Sequence, residues 1–141
     1  MKKYFSIWSA IILLIVSVGF SSCNNDDDVI TGNIVGKWNL ITATVNGVSE
    51  PVNGCFVEIR ADGTFLEYSG VDNRYTVGDW VFSNGKLAVY PDNERTWELF
   101  PDQGKTYQIP ISFTVTRLDS RNLTLRATVL GFEIVNNYTR E

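Results

Sequence analysis

Histidine does not occur anywhere in the 141 residues. Its absence removes the commonest general acid–base side chain and the commonest metal ligand, and with them nucleophilic triads and histidine-built zinc sites. Cysteine occurs only at positions 23 and 55, too few for a disulfide scaffold or a thiolate zinc site. Lysine and arginine number 12 against 16 aspartates and glutamates, with no basic cluster. Nucleic acid is therefore excluded as a partner, because phosphate contacts supply most of that affinity. Beyond residue 34 no segment carries sustained 3.6-residue periodicity, which argues against helices as the main element.

What is present starts with the first 23 residues, MKKYFSIWSAIILLIVSVGFSSC. Lys2 and Lys3 form a positive head, Ile7–Phe20 an apolar stretch, and Ser21 and Ser22 a small-residue approach to Cys23. This is signal-peptide architecture, and the apolar run falls short of the roughly 20 residues a membrane helix needs. The ending Phe20-Ser21-Ser22-Cys23 resembles the lipobox of bacterial lipoproteins, with Phe20 in place of the usual leucine. The resemblance implies cleavage before Cys23 and acylation of that cysteine, hence a membrane anchor of several chains. Removing Lys2 and Lys3 leaves 10 basic residues against 16 acidic ones, a balance of −6. Cys55, at the opening of an expected strand, reads as a small apolar side chain rather than a disulfide partner. Asn24–Asp28, NNDDD, is too polar to bury and forms a tether. It also resembles the acidic signal that sends lipoproteins of anaerobic gut Gram-negatives to the cell exterior. Three segments follow: signal peptide 1–22, lipidated cysteine and tether 23–33, and one domain 34–141.

That domain is a series of short runs rich in Val, Ile, Thr and aromatics, broken by Gly, Pro, Asn and Asp. Strands are expected at 36–46, 55–61, 64–69, 74–83, 86–90, 106–118, 121–130 and 132–140, with a short extra strand or arm at 95–100. Asp62-Gly63, Asn84-Gly85 and Leu130-Gly131 carry hairpin-turn chemistry. Leu123, Leu125, Ala127 and Val129 alternate with polar neighbours, as do Ile109, Ile111, Phe113 and Val115, so one face is buried and one wet. In the first strand Trp38 and Leu40 share one parity and Ile41, Ala43 and Val45 the other, which predicts a bulge near 40–41. The fold class is all-β: an eight-stranded antiparallel up-and-down barrel, since closure removes exposed edges, with a β-sandwich as the alternative.

Gly36-Lys37-Trp38 at the start of the first strand and Arg140 at the end of the last look like the Gly-x-Trp opening and late arginine of the lipocalin superfamily. Gly63-Thr64-Phe65, Gly78-Asp79-Trp80 and Phe82–Leu87 are similar to the lipocalin-like domains of gut Gram-negative lipoproteins. The resemblance implies that Gly36, Trp38 and Arg140 form a barrel floor. It also implies a barrel able to hold a small apolar ligand.

No catalytic constellation emerges, and no cofactor or metal is expected. Glu58, Glu67, Asp79 and Glu98 are carboxylates on strands or in the loop, where such side chains usually face solvent. Phe65, Tyr75, Trp80, Phe113 and Phe132 either wall a ligand pocket or fill a small barrel. At about 110 residues the domain is short, which favours filling. The segment 91–105 reads as a long loop exposing Trp97, Leu99 and Phe100 as contact residues. The sequence thus leaves two non-enzymatic functions, both anchored to the membrane through the N-terminal lipid. One is ligand binding within the barrel; the other is docking of an envelope protein or glycan through the loops.

Overall fold

The computed structural model describes residues 29–30 and 33–141. The signal peptide, Cys23 and the acidic run lie outside the described residues. Ten strands form one sheet: β1 (Val29–Ile30), β2 (Gly36–Val45), β3 (Val48–Pro51), β4 (Phe56–Ile59), β5 (Thr64–Ser69), β6 (Arg74–Ser83), β7 (Lys86–Pro91), β8 (Ile111–Leu118), β9 (Asn122–Val129) and β10 (Phe132–Arg140). Eight of them close into an antiparallel barrel, β2-β4-β5-β6-β7-β8-β9-β10 and back to β2. β3 folds back on the outer half of β2, and β1 pairs in parallel with Arg117–Leu118 of β8.

The hairpins follow from their turns. Asn84 and Gly85 have φ of 53° and 76°, the positive pair that a right-twisted two-residue hairpin requires. At the β8–β9 turn the Asp119 carboxylate accepts from the Arg121 and Asn122 amides at 2.9 and 2.8 Å. Those amides hold its pKa down to about 2. The bulge expected near residue 41 is present. Asn137 pairs with Thr42 and Tyr138 with Leu40, so Ile41 is the extra residue, pushed outward while Leu40 and Ala43 both stay buried.

Three expectations need correction. Residues 95–100 are not a strand but most of helix α1 (Asn93–Leu99), capped by the Asp92 carboxylate, which accepts from the Arg95 amide at 3.1 Å. The expected strand 106–118 starts only at Ile111, because Pro110 offers no ladder N–H, and Ile109 is consequently exposed. β3 was not expected at all: its four residues are mostly exposed and show no apolar alternation.

The barrel has two unlike ends. At one lie the start of β2, the end of β10 and the short turns 60–63, 84–85 and 119–121. At the other lie β3, the turn 70–73 and the long connection carrying α1. The inward faces of all eight strands make a single buried cluster that includes Trp38, Phe65, Leu87, Phe113 and Leu125.

Candidate ligand site

The short-turn end is sealed. Trp38 is fully buried, and its indole N–H donates to Ile34 O at 2.8 Å. The Arg140 guanidinium lies over the ring, 4.1 Å from its centroid. It also donates to Asn33 O at 2.6 Å, Val35 O at 2.8 Å and Ser120 O at 2.9 Å. One side chain thus ties the chain before β2, the β8–β9 turn and the end of β10 together across an aromatic face. Gly36 makes room for it. With φ of 150° and no Cβ, it leaves the space that Arg140 Nη1 occupies. Gly36, Trp38 and Arg140 therefore sit together at one end of the barrel.

Above this floor the lumen changes character. Phe65, Glu67 and Ser69 share the inward face of β5, while Tyr68 on the opposite face packs against Phe56 and Tyr75 outside. The expectation that Glu67 faces solvent is overturned. Burial pushes its carboxyl up to about 8, and the charge of Asp72 adds to the rise. On β10 the inward residues are Ile134, Asn136 and Tyr138. Asn136 is fully buried between its ladder partners Ala43 and Leu125, and neither its amide nitrogen nor its amide oxygen has a hydrogen-bond partner. Burial, with the Glu67 charge next, pushes the Tyr138 hydroxyl upward. Cys55, a buried free thiol also pushed up by burial, lies 4.0 Å from the Ser69 hydroxyl. Val57 and Glu67 point inward and are half-buried, with Val57 packed against the core. The lumen is packed at the floor and carries polar groups further up.

A model of the lipocalin-like domain matches residues 34–125. The chain belongs to that family. Among solved structures, a lipocalin-like protein from Bacteroides uniformis superposes with a TM-score of 0.57 at 18% identity, covering 78% of this chain and 100% of that one. An uncharacterised protein from Bacteroides eggerthii gives 0.54 at 19%, covering 77% and 100%. At such identities the likeness is one of fold. No curated protein matches.

The five aromatics expected to wall a pocket or fill the barrel do not converge, and Trp97, expected as a loop contact, stands apart from them. Phe65 and Phe113 are core. Trp80 faces inward near the floor and donates its indole N–H to Arg60 O at 2.9 Å. Tyr75 is on the outside, stacked on Phe100 at 4.6 Å and 11°. Phe132 is exposed beside the β9–β10 turn. Trp97 is on α1, edge-on to Tyr107 at 5.1 Å, with Lys105 Nζ 4.9 Å from its ring. Together with Tyr90, Asp79, Asp92 and Glu94 these two aromatics line an open outer cleft of about 470 Å³. Of the loop residues expected to be exposed, only Leu99 fully is; Trp97 and Phe100 are half-buried.

Sequence reasoning missed Glu67, Asn136 and Tyr138. The signal was available, since Phe65-x-Glu67-x-Ser69 and Ile134-x-Asn136-x-Tyr138 keep the parity of their buried neighbours. Residue type argued the other way.

Proposed function

We propose that this protein is a lipid-anchored binding protein whose barrel holds a small, largely apolar ligand, without catalysis. One observation carries the ligand reading. The inward face is apolar along most of its length, yet it also carries the half-buried Glu67 and an Asn136 amide without a hydrogen-bond partner of good geometry. A fully packed structural core has no use for such groups, because each costs about 1–3 kcal/mol when unsatisfied. The family supports the same reading, as a lipocalin-like barrel suits small ligands.

The address rests on the first 28 residues. Acylation at Cys23 anchors the domain, and Asp26, Asp27 and Asp28 direct it to the outer face of the outer membrane. Native mass spectrometry of protein extracted from membranes tests anchor and cargo together. The expected spectrum shows an acylated Cys23 and a bound small molecule lost on activation. Cys23→Ala should leave the precursor uncleaved and release the domain from the detergent phase; unchanged partitioning would remove the anchor. Changing the three aspartates to alanine should hide the domain from protease added to whole cells.

A second reading, docking of an envelope protein or glycan, draws on the outer cleft, where Trp97 and Tyr107 stand among three carboxylates. Trp97→Ala that abolishes a pull-down from envelope extract, while leaving the mass-spectrometric cargo in place, would favour it.

A further inference from the structure

Among the described residues, four other than glycine have positive φ: Asn46, Asn73, Asn84 and Leu130. Asparagine tolerates the left-handed region because its short polar side chain bonds locally, whereas leucine brings its Cβ against the following carbonyl and is strained there. Leu130 nonetheless holds φ of 53° beside Gly131 at 84°, with its side chain 73% exposed. At this one turn tip the chain carries both backbone strain and an exposed apolar side chain, where asparagine serves at the Asn46 and Asn84 turns. Strain kept at an exposed position points to a use outside the fold.

Leu130 is not alone. The β2–β3 and β9–β10 turns lie side by side at the end opposite the floor. The Asn46 amide donates to Glu133 O and the Glu133 amide to Asn46 Oδ1, both at 2.8 Å. Phe132 leaves the second turn 40% exposed, and Val48, paired with Val45, leaves the first 61% exposed. Three large apolar side chains thus crown two bonded turns. Beside them Glu133 is paired with Arg126 at 3.5 Å, so the patch favours neither sign of charge.

The course of the chain says what covers the patch. β1 runs parallel to β8, which descends from Ile111 to Leu118 beside the floor. The backbone therefore enters Val29 from the side of the apolar turns. Val29 is level with Arg117, six residues below Ile111 or about 20 Å along the strand. β8 and β9 pair Thr114 with Arg126, so Ile111 is level with Val129, just below the Leu130 turn. Five residues separate Cys23 from Val29, a reach of at most about 20 Å. A lipid on Cys23 thus reaches the plane of the apolar turns and little beyond it.

We propose that Val48, Leu130 and Phe132 form a lipid contact that seats this end of the barrel on the membrane holding the anchor. The inference rests on the acylation of Cys23 read above and adds an orientation, with the Trp38–Arg140 floor facing away from the bilayer. Three side chains hold weakly by themselves. Next to an anchor they have only to orient the domain, because the tether already keeps them at high local concentration.

The test uses the acylated full-length protein in phosphatidylcholine vesicles, plain or brominated along the acyl chains. Phe132→Trp and, as a second probe, Val48→Trp each place an indole at the contact. The wild type supplies the background, and Ser83→Trp, beside the floor-end turn, is the remote control. An apolar side chain seated in the interface lies about 5–10 Å deep, so brominated lipid should cut the added emission of both probes at least about twofold. The control should keep its emission. Leu130→Asn in the Phe132→Trp background should abolish the quenching and raise the denaturation midpoint, since it relieves the left-handed strain; a purely structural residue would not move the two in opposite directions. Protein that floats with the vesicles but shows no quenching at either probe overturns the contact and leaves the anchor standing. If instead Leu130→Asn splits a dimer in detergent solution, the patch belongs to a second copy and the lipid contact is overturned. Protein that does not float overturns anchor and contact together. Circular dichroism of each variant separates loss of the contact from loss of the fold.

Discussion

Two features of the inward face, the Trp38–Arg140 contact and the Glu67 carboxyl, each make a measurable demand. At the floor, truncating the fully buried Trp38 should cost about 3–5 kcal/mol. Arg140→Ala should cost less, since a cation over an indole contributes about 0.5–2 kcal/mol and its three carbonyl partners remain near solvent. The double mutant should cost less than the sum, because both single changes destroy the same 4.1 Å contact. Denaturant titration of the three variants gives the coupling, and strict additivity would dismiss the contact as incidental. Higher in the barrel, Glu67 holds its proton up to about pH 8 in the folded state against 4.5 ordinarily. The native state therefore binds more protons than the unfolded chain between those values. Its contribution is fully present below about pH 4.5 and is lost as pH rises toward 8, by an amount on the order of a few kcal/mol. Melting curves from pH 5 to 8 should show that decline in the wild type and a flatter profile in Glu67→Gln. Parallel profiles would place the carboxyl in solvent.

At the scale of elements, α1 is the piece whose existence depends most on its surroundings. Seven residues are too few to hold a helix in water. What holds it is Asp92 at its N-cap and Thr96 on its inner side. The Thr96 hydroxyl donates to Asp92 O at 2.8 Å and accepts from the Val77 amide at 3.1 Å, docking the helix on β6. Thr96→Val keeps the shape and leaves the buried Val77 N–H without a partner, at a cost of about 1–3 kcal/mol. The expected outcome is a lower denaturation midpoint together with faster amide exchange at Val77. An unchanged midpoint would mean the helix is tethered by its apolar contacts alone. The same dependence explains why the segment 91–105 reads as a loop in the sequence. Its helical character lies in a cap and a hydroxyl that find partners only on another strand. β3 was missed for a different reason. Asn46-Gly47 is a strong hairpin signal, but Val48–Pro51 carries no apolar alternation, so only pairing with β2 makes it a strand.

For the whole molecule, closure matters more than any single ladder. β10 is paired on both sides, with β2 and with β9, over most of its length. Opening the barrel at either seam exposes the common core, so the eight ring strands should unfold as one unit. Hydrogen exchange should then give β2, β9 and β10 nearly the same protection, equal to the global stability. The amides of β3 and of residues 104–109 should exchange far sooner, by local opening. Stepwise loss of protection around the ring would contradict a single cooperative barrel.

The sequence by itself determined the alternation of the late strands, the tight turns and the bulge near Ile41. These are local features: side-chain parity, φ-permissive residues and a phase slip leave marks within a few positions. Tertiary structure alone decided that Tyr75 and Trp97 stand outside the barrel, and that 93–99 is a helix. It also decided that Glu67 and Asn136 lie within. Parity offered both faces of β5 and β10 as candidates for the interior, and polar residue type favoured solvent. Only closure of the ring, which makes the inward face obligatory for every residue on it whatever its polarity, put a carboxyl and an unpaired amide into the lumen.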